Sequence, residues 1–214
     1  VLNGTDKGTR AIMTANPALR WLRDRAISAV SNIPAVQGAL TERISELGLA
    51  YRDSSLTGPA NRAGFDPGAP RPGDRAPQAD LYPLAGDVPA TLFDAYGRGG
   101  FTLLLFPDPT HLAASLRDAA TIGAWVRERL GSDCLPLLVT PATQSDLNVP
   151  IPAAHDKDGG IRRLFGARGE AAVLVRPDGY IASRTTPISH TAIWQSFGAF
   201  FNAALLPDGP IVGG

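Results

Sequence analysis

Phe101-Thr102-Leu103-Leu104-Leu105-Phe106 is a nearly unbroken apolar run that stops at Pro107-Asp108-Pro109, and it constrains the fold more than any other part of the chain. A strand apolar on both faces must be covered on both faces, which is the condition of a central strand in a parallel or mixed sheet. In the next stretch, residues 112–130, Leu112, Leu116, Ala119, Ala120, Ile122, Gly123 and Val126 form a broad apolar helical face that Gly131 closes. Residues 135–140 then read as a second buried strand. Strand, helix, strand in this order predicts a right-handed βαβ unit in a largely buried sheet.

Downstream, residues 161–166 predict a short helix ending at Gly166. Residues 171–175 and 180–184 flank Arg176-Pro177-Asp178-Gly179, a hairpin signal, because proline presets the turn and Asp-Gly accepts positive φ. A final helix is predicted over 189–205, with Ile193, Trp194, Phe197, Phe200 and Phe201 on its buried side, and residues 90–93 are a short strand candidate. The sequence βαβ, short helix, antiparallel hairpin, helix is the thioredoxin-like order. Residues 81–214 are therefore expected to form an α/β domain with a central mixed sheet flanked by helices.

Two further stretches precede it. Residues 1–52 read as helical: Asn16-Pro17 is an N-cap followed by proline at the first helical position, and Leu19, Leu22, Ala26, Ile27 and Val30 follow at helical spacing. A second helix begins near Pro34, carries Val36, Leu40, Ile44 and Leu47 on one face, and ends at Gly48. Two short helices enclose no core, so this appendage needs a partner surface. Residues 53–80 are rich in Pro and Gly without apolar periodicity and read as a linker between packing units.

Bulk properties exclude several classes. Lys plus Arg and Asp plus Glu number 20 each, leaving no net field toward nucleic acid or an anionic membrane. Apolar runs fall well short of the roughly 20 residues that span a bilayer, and Val1-Leu2-Asn3-Gly4-Thr5-Asp6 lacks the order of a signal peptide, so a cytoplasmic setting is expected. The single cysteine, Cys134, cannot form an internal disulfide, and with His111, His155 and His190 it shows no metal-ligand spacing. Adjoining an apolar strand, it is expected to act as a small buried hydrophobe.

The end of the first strand is where a thioredoxin-type oxidoreductase carries its nucleophilic cysteine, at the N-terminus of the next helix. Here the residues are Pro107, Asp108, Pro109, Thr110 and His111, and none exchanges disulfides. The stretch 166–170, ahead of the hairpin, has no proline to lie beside such a site. Asp108 or Thr110 is read as a helix cap in preference to an Asp–His general-base pair. His155-Asp156-Lys157-Asp158 is read as a solvated charged loop, and His190 is assigned to the first turn of the last helix. Arg162, Arg163 and Arg168 allow an anion site but fit a solvated face better. Gly97-Arg98-Gly99-Gly100 precedes a strand and so reads as a tight turn, not a phosphate cradle. No catalytic, cofactor-binding or metal-ligating residue is assigned.

Several segments resemble a known family. Thr5-Asp6-Lys7, Asn16-Pro17-Ala18-Leu19-Arg20 and Ser45-Glu46-Leu47-Gly48-Leu49-Ala50-Tyr51-Arg52-Asp53-Ser54-Ser55-Leu56 are similar to the segment near the end of FAD-dependent aromatic hydroxylases of the phenol and polyketide hydroxylase type. Arg71-Pro72-Gly73-Asp74-Arg75-Ala76-Pro77, Thr91-Leu92-Phe93-Asp94, the run 101–106 and the stretch 172–182 are similar to that family's C-terminal thioredoxin-like domain. The resemblance implies a C-terminal part of an FAD-dependent, NAD(P)H-using monooxygenase. FAD and NAD(P)H would belong to the full enzyme, none being bound by this segment, and the upstream FAD-binding and substrate domain would be its partner. The role implied here is structural: a lid, a brace or a homo-oligomer contact. The alternative is a standalone, redox-inactive thioredoxin-like protein-binding module. A peroxidase-like enzyme using Cys134 ranks last.

Overall fold

The computed structural model describes residues 63–143, 147–198 and 200. The chain divides into two compact units, Val1–Gly48 and Leu49–Gly214, and the described residues all belong to the second. The two N-terminal helices expected within residues 1–52 lie outside the described residues, as does the last helix beyond residue 200.

A mixed six-stranded sheet organises the described residues. Its strands are β1 (Tyr82–Ala85), β2 (Phe101–Phe106), β3 (Cys134–Thr140), β4 (Ala153–His155), β5 (Ala171–Val175) and β6 (Ile181–Thr185). Their spatial order is β1-β4-β3-β2-β5-β6. Helix α1 (Leu92–Tyr96) precedes β2, α2 (Leu112–Leu130) joins β2 to β3, α3 (Gly160–Phe165) joins β4 to β5, and α4 (His190–Gly198) follows β6. Strand β2 pairs parallel with β3, β3 pairs parallel with β4, and β5 runs antiparallel to both β2 and β6. A βαβ unit continued by an antiparallel hairpin and a final helix is the thioredoxin-like arrangement.

Strand periodicity divides the core into two layers. Leu103 and Leu105 of β2 join a cluster with Leu116, Ala119, Ile122 and Val126 of α2 and Phe197 of α4. The alternate residues Leu104 and Phe106 join a cluster with Leu92 of α1 and Ile161 and Phe165 of α3. Successive side chains of a strand point to opposite faces, so the unbroken apolar run follows from a sheet covered on both sides.

The expected strand at residues 90–93 shrinks to one antiparallel bridge, Thr91 to Asp80, and α1 begins at Leu92. Thr91 accepts from the Asp94 amide at 3.1 Å while the Asp94 carboxylate accepts from the Thr91 amide at 3.1 Å, a reciprocal capping box. Satisfying two helix-end amides outweighs the strand preference of Thr-Leu-Phe. Strands β1 and β4, too short and too interrupted by proline to show a period, were not foreseen.

From residue 63 onward the stretch read as a linker runs as a strap pinned to the body. Ile181 of β6 bonds it in both directions, through Gly73 at 2.8 Å and Asp74 at 2.9 Å, and Ala76 donates to the Gly179 carbonyl at 2.8 Å. Arg184, 4% exposed, donates to the Pro70 carbonyl at 2.7 Å and stands 4.5 Å over the Phe65 ring. The strap thereby covers the outer edge of β6, which would otherwise present unpaired backbone groups.

Candidate functional site

Strand β2 delivers the chain into Pro107, and the turn that follows is built from its own side chains. Asp108 Oδ1 accepts from the Thr110 amide at 2.8 Å and from the Thr110 hydroxyl at 2.7 Å. These two donors favour the charged form, so they hold the Asp108 carboxyl below the ordinary carboxylate range. His111 Nδ1 lies 3.0 Å from the same hydroxyl and 3.6 Å from Asp108 Oδ2. The cap expected of Asp108 or Thr110 is not made: His111 itself occupies the N-cap position of α2, without a side-chain cap bond. Asp108 turns its carboxylate back to Thr110 because the two prolines start a tight turn before the helix begins.

Behind this turn a half-buried relay joins three segments. Ser115, in the first turns of α2, accepts from the Asp108 amide at 2.8 Å and donates to Glu170 Oε2 at 3.0 Å. Glu170 Oε1 accepts from the Ile188 amide at 3.1 Å, and the Glu170 carbonyl accepts from the Thr186 hydroxyl at 2.8 Å. Glu170 sits one residue ahead of β5, where a redox-active relative of this architecture would present a proline. The cis peptide seen among the described residues, Thr186–Pro187, follows β6 instead.

Arg162 closes the same end of β2 from the other side. Only 9% exposed, it donates to the carbonyls of Pro107 and Gly169 and stands 5.6 Å over the Phe106 ring. Burial lowers its pKa, with the Asp156 and Asp108 carboxylates acting in the opposite sense. Helix α3, which presents Arg162, is anchored by Asp156, whose two oxygens accept from the Ile161 amide at 2.9 Å and the Arg162 amide at 3.0 Å. Lys157 and Asp158 are exposed as the solvated-loop reading expects, but His155 ends a strand and Asp156 is 4% exposed, a correction to that reading: the turn folds its carboxylate over the open amides of α3.

The three arginines do not converge. Arg162 points inward, Arg163 donates to the Asp158 carbonyl, and Arg168 pairs with Asp66 at 2.7 Å. Arg162 is the residue that the sequence reading placed wrongly. A usable signal existed, since residues 162 and 165 lie three apart on a helix and share a face, which puts Arg162 beside the buried Phe165.

Cys134 is far from this end. It opens β3 in register with Phe101, five residues or about 17 Å along the strand from Phe106. It is fully buried, and that burial pushes its thiol well above the ordinary value. His155 ends β4 and His190 opens α4 with its ring edge-on to Trp125 at 5.2 Å, so the histidines lie on separate elements. Gly99, at φ 89°, makes the tight turn before β2, and a Cβ on Gly100 would meet the Ser132 carbonyl at 2.6 Å. Among the described residues no group of three or more His, Cys, Asp or Glu is placed to hold a metal. No buried side-chain nitrogen or oxygen among them lacks a partner. No described helix is long and apolar enough to cross a membrane.

No family model and no curated protein matches the chain. Among solved structures it is similar to the pneumococcal exposed lipoprotein thioredoxin Etrx1 of Streptococcus pneumoniae, at 19% identity and TM-score 0.44, over 57% of this chain and 98% of that one. A thiol:disulfide interchange protein described as DsbE from Chlorobium tepidum is similar at 20% identity and TM-score 0.48, over 62% and 96%. The bacterioferritin comigratory protein of Xanthomonas campestris, described for alkyl peroxide reduction, is similar at 15% identity and TM-score 0.45, over 69% and 95%.

Proposed function

We propose that this chain is the C-terminal part of an FAD-dependent, NAD(P)H-using aromatic-ring hydroxylase, in which the thioredoxin-like body is a redox-inactive support for a flavin-binding partner. The reading is supported by where the hydroxylase-like segments fall. Arg71 to Pro77 lie on the strap, Thr91 to Asp94 form the α1 capping box, residues 101–106 are β2, and residues 172–182 are the β5–β6 hairpin. Each is a structural element of the body.

The single observation that carries the supporting role is the closed end of β2. Its turn, Pro107 to His111, carries no cysteine, and Arg162 and Glu170 commit their polar atoms to the protein itself. The β2–α2 connection, Pro107 to His111, is not a dinucleotide cradle, because it has no glycine to let a pyrophosphate approach backbone amides. Flavin chemistry is therefore assigned to the partner and no step of it to this chain. Mixing this chain with the flavin-binding domain of such a hydroxylase tests the reading. A complex at micromolar concentration with raised FAD-dependent NAD(P)H oxidation supports it, and failure to associate contradicts it.

A standalone protein-binding module is the second reading. It is favoured by the strap, which ties Gly64 and Asp66 to Arg168 and Gly166, and Gly73 and Asp74 to Ile181 of β6, and so lets the body seal its own sheet edge. Under that reading the chain binds a partner that carries no flavin.

A further inference from the structure

Away from the closed end of β2, a cavity of about 570 Å³ opens to solvent between β1, the end of β4 and helix α3. Tyr82 and His155 are directly opposed in the β1–β4 ladder, and directly opposed residues of an antiparallel pair project to the same face. Both line the cavity, with Ile161 and Leu164 contributed by α3. Tyr82 is 64% exposed and Leu164 45% exposed. Of the large hydrophobic side chains exposed among the described residues, only Phe93 lies outside the cavity wall. Leaving a ring and a leucine in water beside a concavity gives the body nothing in packing, whereas a ligand seated there would cover both.

The rim decides the class of ligand. Lys157 and Arg163 supply two cations, and Asp80 and Asp158 supply two anions. Asp156 also reaches the wall, but both of its oxygens are committed to α3 amides. A strongly anionic or cationic ligand therefore meets as much repulsion as attraction. A neutral ring bearing groups that both donate and accept hydrogen bonds meets complementary partners of each kind, and the volume lies within the range of small-molecule sites, roughly 300–1,000 Å³.

We propose that this cleft binds a neutral planar aromatic molecule carrying hydroxyl or carbonyl groups, with its ring against Tyr82 and Leu164 and its polar edge toward the charged rim. The inference rests on the cleft alone and is independent of the hydroxylase reading. The full chain is titrated with 2-naphthol, 2-naphthoate and 2-naphthylmethylammonium, one ring system in three charge states, by calorimetry and amide NMR. The expected result is saturable binding of 2-naphthol, about fivefold or more tighter than either charged ring, with shifted amides at Tyr82, His155 and Leu164. Tyr82→Ala and Leu164→Ala each weaken it about tenfold, equivalent to about 1.4 kcal/mol, while Phe93→Ala leaves it unchanged. Both lining residues are exposed, so these variants keep the fold, and the amide spectrum verifies it. Absence of saturable binding, equal or tighter binding of a charged ring, or binding insensitive to both lining variants overturns the proposal.

Discussion

The guanidinium of Arg162 reaches from α3 to the backbone carbonyl of Pro107, the residue that follows the end of β2. In this architecture that end is where a thiol would stand, and here a buried cation is spent on backbone carbonyls. Replacing it removes the donor from Pro107 and Gly169 together. Arg162→Met is expected to lower stability by about 2–3 kcal/mol, read as the midpoint of urea unfolding. Arg162→Lys should recover only part of that, since a single ammonium lacks the planar fork that spans two acceptors.

Asp156 acts on the same clamp through α3. Asp156→Asn keeps one acceptor but loses the charge and the second oxygen offered to the Ile161 and Arg162 amides. A loss of about 1–2 kcal/mol is expected. In a double-mutant cycle with Arg162→Met the two losses should fall short of additivity by at least about 0.5 kcal/mol, because a loosened α3 already misplaces Arg162.

The strap depends on Arg184. Arg184→Leu removes the bond to Pro70 and the cation over Phe65. Hydrogen exchange at the Gly73 and Ala76 amides, which donate to Ile181 and Gly179, should accelerate at least about tenfold, while the Leu104 amide in β2 keeps its protection.

Alkaline pH should destabilise the body through two buried acids. Burial raises both the Cys134 thiol, ordinarily near 9.0, and the Tyr96 phenol, ordinarily near 10.0. In the unfolded chain each loses its proton near its ordinary value, whereas the folded state retains both protons, so their contribution is intact below about pH 9 and falls as pH rises further. Each group costs at most about 1.4 kcal/mol per pH unit. Cys134→Ala should move the onset of the decline up by about one unit in urea midpoints measured between about pH 8 and 11.

Much of the fold was legible because apolar period and turn chemistry agreed. The strand 101–106, the helix 112–130 closed by Gly131 at φ 52°, and the hairpin turning at Gly179 at φ 80° all carried both signals. The misreadings share a different cause. Leu92 and Phe93 read as strand but follow the Thr91–Asp94 capping box into a helix, and Asp156 and Arg162 looked like solvated charges because burial of a paired polar group leaves no trace in hydropathy. The cavity at Tyr82 was invisible for the same reason, since β1 is too short and proline-broken to announce itself, and its partner His155 is separated from it by more than seventy residues of chain.

Thiol turnover is the most direct test that this thioredoxin-like body has no redox chemistry of its own. The full chain is assayed for reduction of a small disulfide and of hydrogen peroxide with dithiothreitol as electron source, beside its Cys134→Ser variant. Rates equal to buffer for both proteins are predicted. Turnover by the wild-type chain that Cys134→Ser abolishes would contradict it.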